Sequence, residues 1–136
     1  MPTLQPLVVT DRGTPTPVNH TLNPVGPGPA KGYGTVGASD ASGTDISEKR
    51  LTIGCRRSGN RIRTIEKWSF PTVVNTTING VTQPSVARVA YVDITFNFER
   101  THTEQERKDV VGMIYSAHAV GKILTEDTIV KNQDVW

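Results

Sequence analysis

Between residues 90 and 98 apolar and polar side chains alternate strictly: Ala90, Val92, Ile94, Phe96 and Phe98 hold every second position, with Tyr91, Asp93, Thr95 and Asn97 between them. A period of two places the sets on opposite faces of a β-strand, one dry and one polar. After Thr101–Thr103 the period changes. Val110, Val111, Ile114 and Ala117 recur at three- and four-residue spacings and predict an amphipathic helix from 104 to about 118. Thr103 and Glu106 have the spacing of a capping box, and Glu104 and Glu106 complement the positive end of the helix dipole. Gly121 is the expected helix stop. Thr125, Glu126 and Asp127 predict the start of a second, short helix over 127–132, against the β-branched character of Thr128, Ile129 and Val130.

Upstream, the pattern is strand after strand. Leu51, Ile53 and Cys55 alternate with Arg50, Thr52, Gly54 and Arg56; Ser58, Gly59 and Asn60 turn the chain. Arg61, Arg63, Ile65 and Lys67 then alternate with Ile62, Thr64, Glu66 and Trp68, so the two runs form a hairpin. Pro71 interrupts, Val73 to Ile78 continues extended, and Asn79-Gly80 is a strong turn signal. Residues 77–84 are therefore expected to be a loop at the tip of two long strands, the second spanning 86–99. Residues 7–22 predict an N-terminal hairpin turning at Asp11 to Thr14. The proline- and glycine-rich stretch 23–45 reads as a surface loop with one short strand at Tyr33 to Val36.

The elements predict an α+β fold, and 136 residues suit one domain, 1–136. Only 35% of the residues are hydrophobic, so oligomerisation would relieve a modest core. The formal net charge of +2 does not by itself demand an anionic partner. Its distribution is more informative: Lys49, Arg50, Arg56, Arg57, Arg61, Arg63 and Lys67 fall within nineteen positions that hold one acid, Glu66. These cations are either a solvated hairpin or a phosphate-binding face. Cys55, the single cysteine, excludes an internal disulfide and is expected to be a buried structural thiol. An enzyme would have to be built from Cys55 with His20, His102 or His118, yet no metal-ligand spacing, nucleophile elbow or phosphate-cradling glycine motif accompanies them. No catalysis, cofactor, small-molecule substrate or metal is expected. Neither a leader peptide nor a membrane span is predicted.

Three segments in this order, LVVTDRGTPTPVNHTL, then LTIGCRR with NRIRTIEKWSFP, then RVAYVDITFNFERTHTEQERKDVVGMIYSAHA, make the chain resemble the coat proteins of single-stranded RNA bacteriophages. The resemblance covers most of the chain. It implies an N-terminal hairpin, a five-stranded antiparallel sheet and one or two C-terminal helices. It also implies an intertwined homodimer with a continuous ten-stranded sheet, in which Val110, Val111, Ile114 and Ala117 pack on the partner. Gly112 would suit a close helix contact there, or is simply tolerated. Dimers would assemble into an icosahedral T=3 shell, meeting at symmetry axes through the 77–84 loop and through the N-terminal hairpins, with Asn79, Gly80 and Pro84 making that loop deformable. The particle would form in the bacterial cytoplasm.

The resemblance places single-stranded RNA on the inner sheet face: Arg50, Thr52, Arg56, Arg61, Arg63, Lys67, Tyr91, Asp93 and Thr95. Arginines and lysines there neutralise phosphates, and the Tyr91 ring offers a surface for an unpaired base. In the family this face also binds an RNA hairpin and represses translation. Here the sequence departs from better-known members, because Gly54 and Ile65 stand where base-reading hydroxyls are expected; Thr52 keeps the pattern. General RNA affinity is thus expected ahead of a particular hairpin. The alternative is a dimeric RNA-binding regulator that forms no shell.

Overall fold

The alternation of 50–56 against 61–67 becomes a hairpin in the computed structural model, which describes residues 3–29, 31–38 and 45–135. The strands are β1 (Leu7–Thr10), β2 (Asn19–Pro27), β3 (Tyr33–Ala38), β4 (Lys49–Ser58), β5 (Arg61–Ile78) and β6 (Val81–Glu99). They form one antiparallel sheet in sequence order, β1-β2-β3-β4-β5-β6. Six strands replace the five expected, because β2 serves twice. It pairs with β1 as the N-terminal hairpin, Leu7 opposite Leu22, and continues through Asn23 opposite Gly37 to pair with β3.

The expected loop at 23–45 is consequently a correction. Its beginning and middle are strand, and residues 39–44 lie outside the described residues. Prolines disfavour a ladder because they donate no hydrogen bond, and the pairing accommodates them by shifting register between Pro24 and Gly26. Pro71 likewise fails to divide β5, which runs unbroken for 18 residues. The tip loop shrinks to two residues: Asn79 and Gly80 both take positive φ, 51° and 78°, and the strands resume at once. Thr77 and Thr82 hydroxyls lie 3.2 Å apart across that turn, so Pro84 sits within β6, not in a loop.

Asp11 organises the first hairpin. Its Oδ1 accepts from the amides of Gly13 and Val18, both at 2.8 Å, and its Oδ2 lies 2.7 Å from Nε2 of His20. These bonds, that to His20 foremost, hold the Asp11 carboxyl down to about 2 from its ordinary 3.8.

Contacts divide the chain into two units, Met1–Asn97 and Phe98–Trp136. In the first, the buried apolar core among the described residues is Leu22, Val36, Ala38 and Leu51, with Val9 and Trp68 packed against it. In the second, α1 spans Glu104–Ala117 with the expected capping box: Thr103 Oγ1 accepts from the Glu106 amide at 3.2 Å, and Glu106 Oε2 accepts from the Thr103 amide at 2.6 Å. The helix ends at a His118 cap, and Gly121, at φ 88°, redirects the chain after it. A helical turn, Ile123–Thr125, then runs into a π-helical turn, Glu126–Val130. This segment starts earlier than predicted because Thr125 caps no helix: its hydroxyl instead donates to the carbonyls of Ala117 and Lys122. No described residue of α1 is buried; Val110, Val111 and Ile114 are all exposed and Ala117 is half-buried.

Candidate nucleic-acid interface

Strand register decides which side chains share a face, since residues paired across two strands point the same way. In β4 and β5 the pairs are Arg50–Ser69, Thr52–Lys67, Gly54–Ile65, Arg56–Arg63 and Ser58–Arg61. One face of this hairpin therefore carries Arg50, Arg56, Arg61, Arg63 and Lys67 together. Its one acid, Glu66, pairs with Ile53 on the opposite face, and Arg57 pairs with Ile62 there too. The sequence cluster of cations is thus sorted by the pleat.

Paired arginines repel, so Arg56 opposite Arg63 costs stability unless an anion sits between them. Among the described residues, Arg56, Arg61, Arg63 and Lys67 have no ion-pair partner, and all four are exposed. Arg50 differs. Its guanidinium donates to Glu48 Oε2 through Nε at 2.9 Å and Nη2 at 2.7 Å, so part of its charge is already balanced.

Strand β3 extends this face by three residues that sequence reasoning missed. Tyr33 pairs with Gly54, Thr35 with Thr52 and Gly37 with Arg50. The Thr35 and Thr52 hydroxyls are 3.2 Å apart. Gly54, which lacks the expected hydroxyl, has another use: a Cβ there would run into the Tyr33 ring, which lies on its backbone. The signal was present as the phase of Tyr33, Thr35 and Gly37, hidden by the prolines and glycines around it.

In β6 the apolar phase is identified by Val92, which lines one groove with Trp68 and Phe70. Ile94 and Phe96 are half-buried in the same phase, while Thr95 and Asn97 are exposed. Tyr91, Asp93 and Thr95 accordingly occupy the phase opposite the groove, with Tyr91 74% exposed. Asp93 is an acid on a basic surface, able to accept from a base amino group but not to hold phosphate.

The other face carries Lys49, Arg57 and Glu66 beside an apolar aromatic patch. Trp68 and Phe70 stack with ring centroids 5.6 Å apart and planes 8° from parallel. Together with Val9, His20, Leu22 and Val92 they line a groove of about 430 Å³. Cys55, expected to be buried, is exposed, because no described residue of this unit covers the outer end of β4.

No group of three or more histidine, cysteine, aspartate or glutamate side chains that could hold a metal ion occurs among the described residues. No described helix is long and apolar enough to cross a membrane.

The family model described as levivirus coat protein matches residues 2–136. The chain is 36% identical over 134 residues to the capsid protein of Pseudomonas phage PRR1, covering 98% of each. It is 33% identical over 108 residues to the capsid protein of Qbeta virus strain MX1, covering 79% of this chain and 80% of that one. Among solved structures, the virus-like particle of bacteriophage ESE058 aligns with a TM-score of 0.82 at 24% identity, covering 99% of this chain and 100% of that one. The capsid protein of bacteriophage GA aligns at 0.77 and 23%, covering 96% of each. These structures share the fold, and the sequence relatives are structural capsid proteins. A two-faced antiparallel sheet followed by a capped helix, matched along nearly its whole length by these relatives, identifies the chain as a member of the levivirus coat protein family.

Proposed function

We propose that the chain acts as a dimeric building block of an icosahedral shell, with single-stranded RNA held on the basic sheet face. The observation that carries this reading is the register of β4 and β5, which gathers five cations on one face and sends the intervening acid to the other. A sheet with one cationic face and an apolar aromatic groove on the other needs two different neighbours. Phosphates suit the first and protein the second. The exposed Val110, Val111 and Ile114, with Ala117 beside them, have the chemistry to fill the Trp68–Phe70 groove of a second copy, which would join the two sheets into one of more strands. Gly112 has open space around it within one chain, so a partner helix can approach there.

Dimers would meet around symmetry axes through the Asn79-Gly80 tip, with Pro84 stiffening the strand behind it. A T=3 arrangement follows the resemblance, and different orientations of this hairpin would serve its inequivalent positions. Assembly would take place in the bacterial cytoplasm. The Thr35–Thr52 hydroxyl pair and the exposed Tyr91 favour a second reading, in which the same face holds one RNA hairpin and represses its translation.

Expressing the chain alone and imaging the product tests the first reading. Uniform particles containing nuclease-resistant RNA are expected, whereas soluble RNA-binding dimers at high concentration would favour a regulator and overturn the shell. The double variant Arg56→Gln/Arg63→Gln should lower the slope of log affinity against log salt by about 1.4, two phosphate contacts at about 0.7 each for single strands. An unchanged slope would remove these arginines from the RNA contact. A translational reporter behind the phage's own hairpins tests the second reading.

A further inference from the structure

Asn79 and Gly80 are the whole connection between β5 and β6, and both stand exposed at its end. With φ of 51° and 78° they make a type I′ turn, which bonds only the residues on either side and leaves the Gly80 amide out of the ladder. A Cβ built on Gly80 would meet nothing within 4 Å, so the space around this amide is open. Turning the plane of the Asn79–Gly80 peptide alone converts the turn to type II′, the other form that two-residue hairpins use. The ψ of Asn79 then swings to about −120° while its φ stays positive. At that angle the Gly80 nitrogen eclipses Asn79 Cβ, and the side-chain carboxamide carbon comes within bonding reach of it. The flipped form strains an asparagine, so it is visited and not occupied. No other asparagine precedes a glycine. Asn23 precedes Pro24, which has no amide proton, and Asn60 precedes Arg61. Asn132 shares the positive φ, at 53°, but the amide that follows it, that of Gln133, donates to the Asp127 carbonyl at 3.0 Å. Asn19, Asn75 and Asn97 lie in strands.

We infer that Asn79 is a site of spontaneous deamidation, which slowly turns a neutral hairpin tip into a charged one. The Gly80 amide nitrogen bonds to Asn79 Cγ, the carboxamide C–N bond breaks, and ammonia departs with the Gly80 proton. Water then opens the cyclic imide at either carbonyl. Opening at Cγ leaves aspartate, and opening at the main-chain carbonyl leaves isoaspartate, which lengthens the turn by one main-chain carbon. Each product adds a negative charge. Residues 68–87 hold no charged side chain, so nothing in this arm offsets it. The modification stands on the turn alone, whereas its effect rests on the shell reading above: like charges brought together around a symmetry axis repel. Conversion therefore ages the free subunit out of assembly.

The test warms the purified full chain in buffer, samples it over days and sequences its tryptic peptide 68–88 by mass spectrometry. Asn79 should shift to the acid form, with isoaspartate detected by methyl transfer from protein isoaspartate methyltransferase, while Asn75 in the same peptide and Asn132 elsewhere stay amides. Asn79→Gly keeps a turn-compatible residue and removes the reacting group, so its peptide should gain no acid. An unconverted Asn79, or conversion of Asn75 or Asn132 at the same rate, overturns the inference. Assembly tests the effect separately. At low salt Asn79→Asp should need a higher subunit concentration than the parent to form particles, and should recover as salt screens the charge; Asn79→Gly should match the parent. Equal assembly of the parent and a folded Asn79→Asp would overturn the effect on assembly, and the place of the tip at the axes with it. Failure of the parent itself to form particles would overturn the shell reading and not the deamidation.

Discussion

Asp11 shows how much one side chain decides. Its two oxygens accept from Gly13, Val18 and His20 and thereby fix the bend between β1 and β2. With its carboxyl at about 2 in the fold and 3.8 ordinarily, the unfolded chain takes up the proton first as pH falls. The stabilisation is complete above about pH 4 and lost as pH drops through about 2. Asp11→Asn keeps an acceptor oxygen but cannot titrate, so melting followed by circular dichroism between pH 4 and 2 should show a shallower decline than the parent. A decline of equal slope would remove Asp11 from the acid response. Much at this scale was legible in the sequence. Asn79-Gly80 announced a turn with two positive φ angles, and Thr103 with Glu106 announced reciprocal capping bonds, since both depend on local backbone geometry alone. Cys55 was not legible, because its exposure depends on what fails to cover β4 from elsewhere.

The elements divide in the same way. Strands β4 and β6 and helix α1 follow their hydrophobic periods, and the basic face of β4 and β5 came directly from alternation. Strand β2 and the ends of β5 and β6 escaped detection because pairing partners overrode local proline and glycine signals: a register shift absorbs Pro24, and Pro71 and Pro84 lie within long strands. The same masking hid Tyr33 and Thr35 from the candidate site. Helix α1 owes more to its cap than to burial, since none of its described residues is buried. Thr103→Ala should therefore cost about 1 kcal/mol, read as a lower denaturation midpoint, and Thr103→Ser should recover most of it. No difference between Ala and the parent would mean that contacts outside the chain hold the helix start.

At the scale of the whole molecule, few of the described side chains are shut away. Leu22, Val36, Ala38 and Leu51 form the buried apolar core among the described residues, whereas Val110, Val111, Ile114, Met113 and Tyr115 remain open to solvent. A charge placed in the open helical stripe should therefore act on association more than on the isolated fold. Ile114→Asp is expected to abolish dimers and particles in analytical ultracentrifugation, while Lys108→Glu, on an exposed pair with Glu104, should leave them intact. Particles from Ile114→Asp would place the dimer seam elsewhere. In the proposed dimer so small a core would also tie folding to subunit concentration, because a second copy that binds only the native form stabilises it by mass action. For such a dimer dilution would work as a denaturant, and the temperature at which it melts should climb as more of it is dissolved.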